Sequence, residues 1–251
     1  MMLHIQPIPA FNDNYIWLLH NGHDAVVVDP GDAAPVLQIL EKLKLNLSTI
    51  LITHHHSDHI DGVAQLVKHY SPQVFAPTYE RYAFKHTALA EGDVVTLPDL
   101  GLNFKVMWLP GHTLGHIAYV NDDALFCGDT LFGAGCGRLF EGSPAQMLSA
   151  LNRLKALNPS TKVFCTHEYT VKNIAFALTL EPDNKALIHR KEETDALRAN
   201  HLPSLPSTIA LELNTNPFLR CQYPSIFKNS GAEMPDELSV FTVIRTLRNH
   251  Y

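Results

Sequence analysis

The stretch LITHHHSDHID, Leu51 to Asp61, places His54, His56, Asp58 and His59 within six positions, directly behind a short apolar run. Any one of the chain's 15 histidines, taken alone, reads as a hydrogen-bonded core or surface residue. The set does not read that way. Crowding three imidazoles and a carboxylate together in a folded protein is costly unless something positive satisfies their lone pairs and charge. A divalent cation does so, and neutral imidazole with carboxylate suits zinc, iron or manganese. Cys127, Cys136, Cys165 and Cys221 stand at no C-x-x-C spacing, so neither a thiolate zinc site nor a disulfide framework is indicated.

Sites of this kind are commonly built on loops that a rigid scaffold positions. Four β-rich runs end in polar clusters: Thr49 to Ile52 before the histidines, Phe104 to Leu109 before PGHTLGH, Ala124 to Cys127 before GDT, and Lys162 to Cys165 before THEYT. The segment AVVVDPGD has the same form, with a helix start near Asp32. Between these runs, Ala34 to Leu45, Gly62 to His69 and Pro144 to Leu157 carry apolar residues at three- and four-residue intervals, the helical period. The strand ends add His112, Asp129 and His167, which makes seven candidate ligands. A tetrahedral zinc site takes about four ligands and a catalytic one leaves a position open, so seven overfill one ion and suit two. Two ions ~3.5–4 Å apart need a bridging group, and Asp129 is the candidate. His55 and His116 read as structural histidines.

After Glu168 the texture becomes helical, with a break near Pro182 and a Pro-rich interruption from Leu202 to Pro206. We therefore expect a catalytic domain over residues 1–168 and a helical substrate-binding domain over 169–251. Asp236 to Arg248 reads as a closing helix with Leu238, Phe241, Ile244 and Leu247 on one side. A net charge of −6 argues against a nucleic-acid partner, which calls for a basic face. No apolar run reaches the ~18 residues of a membrane span, and the start lacks a signal-like pattern. A cytoplasmic monomer without a membrane partner is the expectation.

H-x-H-x-D-H at His54 to His59, followed in order by PGHTLGH, CGDTLF and CTHEYT, resembles the metallo-β-lactamase superfamily. Within it, GDTLFGAGCGRLFEG and the helical C-terminal region resemble the hydroxyacylglutathione hydrolase (glyoxalase II) family, and the resemblance covers essentially the whole chain. It implies an α/β fold, a four-layer αββα sandwich with a small C-terminal helical domain and the metal site at one edge of the sandwich. It further implies two divalent metal ions per chain, zinc by expectation, with iron or manganese fitting the same ligands. His54, His56 and His112 would hold one ion, Asp58, His59 and His167 the other, and Asp129 would bridge them. Asp58 and Asp129 would be the catalytic carboxylates, and Asp29 corresponds to an early family motif and would orient ligands; on the residues alone it reads nearly as well as a turn residue before a helix.

The family reaction is hydrolysis of S-D-lactoylglutathione and related S-2-hydroxyacylglutathiones to the 2-hydroxy acid and glutathione, in methylglyoxal detoxification. A metal pair lowers the pKa of bound water toward ~7, which makes a bridging hydroxide the expected nucleophile. A thiol pKa of ~8.5 lets the sulfur leave as thiolate, so no separate protein general acid is assigned. The resemblance places the glycine end of the glutathione thioester near Arg138, Tyr169, Arg245 and Arg248. Arg248 stands where many relatives have lysine, and Phe140 where some have tyrosine. On the residues alone, Arg138 also reads as a turn residue, Tyr169 as helix-start packing, and the two arginines as a solvated helix end that favours the dipole.

Rival readings share the metal motif. A β-lactamase lacks the bridging aspartate that Asp129 supplies, a persulfide dioxygenase is not expected to carry this helical tail, and an RNA-processing nuclease calls for basic surface. A module that keeps metal only for stability would close its site with four ligands.

Overall fold

The computed structural model describes residues 2–251 and divides into two units. One takes the chain up to Trp108 together with Leu114–Asn121 and Leu125–Gly128; the other takes Leu109–Thr113, Asp122–Ala124 and Asp129–Tyr251.

The first unit opens with antiparallel strands β1 (His4–Ala10), β2 (Asn14–His20) and β3 (Asp24–Val28). Helix α1 (Ala33–Leu43) then crosses to β4 (Asn46–Leu51), which pairs parallel with β3. Its start is where the sequence puts it, because the Asp32 side chain accepts from the backbone N–H of Ala34. The short helices α2 (Ser57–Ile60) and α3 (Val63–Tyr70) precede β5 (Gln73–Pro77) and β6 (Thr87–Leu89), which complete a six-stranded sheet in the order β1-β2-β3-β4-β5-β6. Val27 and Ile50 pack with Val36 and Leu40 of α1 and Val63 and Leu66 of α3, so the apolar runs that mark these strands are covered by helices. Strands β7 (Val94–Leu97), β8 (Leu102–Trp108), β9 (Ile117–Val120) and β10 (Ala124–Gly128) form an antiparallel run in the order β10-β9-β8-β7.

The second unit contains the hairpin β11 (Leu131–Phe132) and β12 (Gly135–Cys136), helix α4 (Pro144–Lys155) and strand β13 (Lys162–Cys165). The Ser143 side chain and Gln146 form a capping box that starts α4. Helices α5 (Thr170–Leu180) and α6 (Lys185–Ala199) flank the break near Pro182. A two-residue strand, β14 (Ser207–Thr208), pairs antiparallel with β13 before α7 (Ile209–Thr215), α8 (Pro224–Ser230) and α9 (Glu237–His250).

Helix α9 exists as expected, and its buried side matches the expected one at Phe241 and Ile244 but not at its two ends. Leu238 and Leu247 are 41% and 43% exposed, whereas Val240, Phe241, Ile244 and Arg245 are buried. At 3.6 residues per turn, a series spaced by three drifts across the helix, and positions nine apart lie about 180° apart.

Candidate functional site

In the first unit the site grows from the ends of the parallel strands β3 and β4, where an α/β sheet offers its side chains to a ligand. Asp29, just after β3, is 1% exposed and sits at φ 54, a left-handed conformation that aspartate tolerates. Its carboxylate accepts from the Thr53 N–H at 2.8 Å, the Thr53 hydroxyl at 2.7 Å and His59 Nδ1 at 3.0 Å. Because the Thr53 hydroxyl hydrogen goes to Asp29, its oxygen receives the Nδ1–H of His54, 3.1 Å away. Both imidazoles therefore carry hydrogen on Nδ1 and present Nε2 as an acceptor. His54 Nε2 lies 3.0 Å from His56 Nδ1, and His59 Nε2 lies 3.6 Å from Asp58 Oδ2.

Asn14, at the start of β2, donates from Nδ2 to Asp58 Oδ2 at 2.9 Å. Sequence reasoning missed it, since one amide at the head of a largely apolar strand carries no signal of its own. Gly31 is required here, since a Cβ would lie 1.9 Å from the Asp58 carbonyl oxygen. His116 is buried with its ring stacked on His54 at 4.8 Å, and His55 pairs with Glu80 at 3.2 Å.

The second unit carries His112, Asp129 and His167. His112 Nδ1 donates to the carbonyl oxygen of Arg138 at 2.8 Å. A carbonyl can only accept, so in the neutral ring Nε2 is the lone-pair nitrogen. That nitrogen faces Asp129 Oδ2 at 3.4 Å, and the same oxygen faces His167 Nε2 at 3.3 Å. Charge-assisted hydrogen bonds are shorter, about 2.7–2.9 Å. Ligand atoms bound at ~2.0–2.1 Å around a tetrahedral ion stand about 3.3 Å apart. The spacing therefore fits donors that share a cation. Imidazole nitrogens and carboxylate oxygens, the donors that each unit offers, suit a divalent metal.

Glycine again permits a close approach at Gly137, where a Cβ would lie 1.9 Å from the Asp129 carbonyl oxygen and 3.3 Å from His112 Nδ1. Tyr169 stacks flat on His167, with ring centroids 4.7 Å apart at 4°, and Phe132 meets both rings edge-on. Phe140 is exposed and stands edge-on to His112.

The arginines divide into different roles. Arg138 is exposed near the Phe140 ring. Arg248 is half-buried and donates from Nε to Asn173 Oδ1 at 3.1 Å. Burial, then the like charges of Arg245 and Arg138, hold its pKa below the ordinary arginine value. Arg245 is not a solvated helix end. It is 6% exposed, donates from Nη1 to the Cys136 carbonyl at 2.7 Å and from Nη2 to Asn249 at 3.1 Å, and lies over the Phe218 ring. Among the described residues, no helix is long and apolar enough to cross a membrane.

Residues 10–167 match the family described as "Metallo-beta-lactamase superfamily", and residues 168–251 match "Hydroxyacylglutathione hydrolase C-terminus". The chain is 56% identical to the hydroxyacylglutathione hydrolase of Methylobacillus flagellatus over 100% of both chains. It is 50% identical to the protein of the same name from Photobacterium profundum, again over 100% of both. Among solved structures, the BLEG-1 B3 metallo-beta-lactamase superposes with a TM-score of 0.66 at 24% identity, covering 86% of this chain and 99% of that one. That likeness shows an α/β sandwich fold, as the sequence led us to expect.

Proposed function

Because the chain belongs to the hydroxyacylglutathione hydrolase family of the metallo-beta-lactamase superfamily, we propose that it hydrolyses S-D-lactoylglutathione and related 2-hydroxyacyl thioesters to the hydroxy acid and glutathione. The observation that carries this reading is the pair of facing acceptors, His112 Nε2 and Asp129 Oδ2, 3.4 Å apart. Two such groups repel unless a cation or a second proton lies between them.

We assign His54, His56 and His112 to one ion, Asp58, His59 and His167 to the other, and Asp129 to both. Zinc is our choice for each ion, since borderline imidazole and carboxylate donors suit it and no thiolate is offered. When bound, the ions supply the Lewis acidity that activates water and polarises the thioester carbonyl.

The chain's own residues prepare that chemistry. Asp29 and the Arg138 carbonyl hold protons at Nδ1 of His59 and His112, which aims each Nε2 at the ligand position. Asn14 orients Asp58 by donating to its Oδ2. Arg138, Arg248 and Tyr169 would bind the glycine end of glutathione, leaving the thioester to the metal ligands, and Arg245 supports them from within. The helical region 169–251 acts as the substrate-binding domain in this reading. The same reading extends to a cytoplasmic monomer acting in methylglyoxal detoxification.

The test is hydrolysis of S-D-lactoylglutathione by purified protein beside a glutathione-free thioester, with bound metals measured on the same sample. The expected result is strong preference for the glutathione ester and two metal equivalents per chain. Equal rates on both esters would reject the substrate, and metal-free activity would reject the centre.

A further inference from the structure

Arg190, Glu212 and Asn216 are 3%, 0% and 0% exposed, and none of them is among the ligands or the anion-binding residues. Arg190 donates to Glu212 Oε1 and to the Thr215 hydroxyl, each at 2.6 Å, and the Ser207 hydroxyl donates to the same carboxylate oxygen. A buried ion pair is weak evidence for stability, because desolvation offsets much of its attraction. The other contacts of this group give it a further role.

Glu212 Oε2 accepts from the backbone N–H of Ala134 at 2.9 Å. Asn216 Nδ2 donates to the carbonyls of Gly135 at 2.9 Å and Phe132 at 3.2 Å. All of these backbone groups belong to the β11–β12 hairpin and its turn, where Ala134 sits at φ 53. A hairpin of two-residue strands cannot hold itself in water. It is held from outside, by the Arg190–Glu212–Asn216 group at Phe132, Ala134 and Gly135, with Asn173 donating to the Gly133 carbonyl and Arg245 to that of Cys136.

The hairpin matters for what it carries. Phe132 packs edge-on against His167 and Tyr169. Two residues past β12 comes Arg138, whose side chain faces solvent near Phe140 and whose carbonyl fixes the His112 tautomer.

We propose that the buried Arg190–Glu212–Asn216 group positions the 131–138 segment, and through it aligns Arg138, Phe132 and Tyr169 for the glutathione part of the substrate. This rests on the proposed function. These are positioning residues, since they act through the hairpin and not on the substrate.

The experiment compares wild type with Asn216→Ser and Glu212→Gln on S-D-lactoylglutathione and on a glutathione-free thioester, well below each variant's melting temperature. Asn216→Ser keeps the Arg190–Glu212 pair and removes the two carbonyl contacts together with the Asn216 Nδ2 bond to Glu212 Oε2, so it tests the idea even where Glu212→Gln does not fold. The expected result is a rise in KM of about fivefold or more for the glutathione ester, with KM for the other ester unmoved, the split that lost substrate alignment produces. Ser143→Ala, which removes the α4 cap, should lower the melting temperature without changing that KM ratio. A wild type that turned over no glutathione thioester would sink the functional reading and this inference with it. Wild-type turnover, with Asn216→Ser melting lower at an unchanged KM ratio, sinks this inference alone.

Discussion

His59 donates from Nδ1 to Oδ2 of Asp29 across 3.0 Å, and both side chains are almost fully buried. Asp29 accepts from the Thr53 N–H, the Thr53 hydroxyl and His59 Nδ1, so an amide in its place would have to turn its N–H toward the hydroxyl or the imidazole that now donates to it. Asp29→Asn should lower metal affinity by about 10–100-fold, the usual cost of losing a partner behind a ligand. Chelator competition measures it, with circular dichroism as the check on folding. Unchanged affinity would remove Asp29 from the site.

Asp129 Oδ2 faces both His112 and His167, so Asp129→Ala should cost more than one ligand bond. Metal content should fall and kcat should collapse, while KM changes little. A variant with two metals and full turnover would refute the bridging role.

Arg245 and Arg248 should separate in their effects. Arg245→Ala removes a buried charged group from the Cys136 carbonyl, a loss of about 1.5–3 kcal/mol in urea unfolding. Arg248 is half-exposed, so Arg248→Ala should raise KM for the glutathione ester by up to about tenfold after allowance for solvent screening, with kcat held. An intact KM in Arg248→Ala would refute its part in substrate binding, and an unchanged stability in Arg245→Ala would refute its structural part.

Acid should weaken the second unit through Glu181. Burial alone would raise its pKa, but the hydrogen bonds and charge of Arg220 outweigh burial and hold it below the ordinary value. A depressed carboxylate contributes stability that is complete above the unfolded value of about 4.3 and is lost as pH falls through the folded one. Glu181→Gln should therefore lie well below wild type in stability at pH 7 and approach it in acid, as pH falls below the unfolded value. Urea titrations at pH 7 and in acid decide it, and a gap that stayed constant would contradict the assignment.

Much of this was legible in the sequence, and the reasons differ by residue. Strands β4, β10 and β13 could be read because each is a compact apolar run stopped by polar residues, and α1 because Asp32 caps it. The ligand candidates stood out through their spacing and their places after those strands. Asn14 was hidden because one amide beside an apolar strand carries no pattern until Asp58, 44 residues away, is brought against it. Arg245 was misleading because a charged residue near a chain's last helix turn looks solvated; only the Cys136 carbonyl, 109 residues distant, explains its burial. The Arg190–Glu212 pair was invisible for the same reason, its members being joined by tertiary contact.

Gly137 touches the Asp129 backbone so closely that no side chain can be added there without displacing it. The consequence is one of evolvability. Substrate range cannot drift by changes at that position, since every variant would disturb a ligand first. Phe140, 61% exposed and three residues further on, has room to vary. A designer would therefore leave the glycine alone and build a library at Phe140.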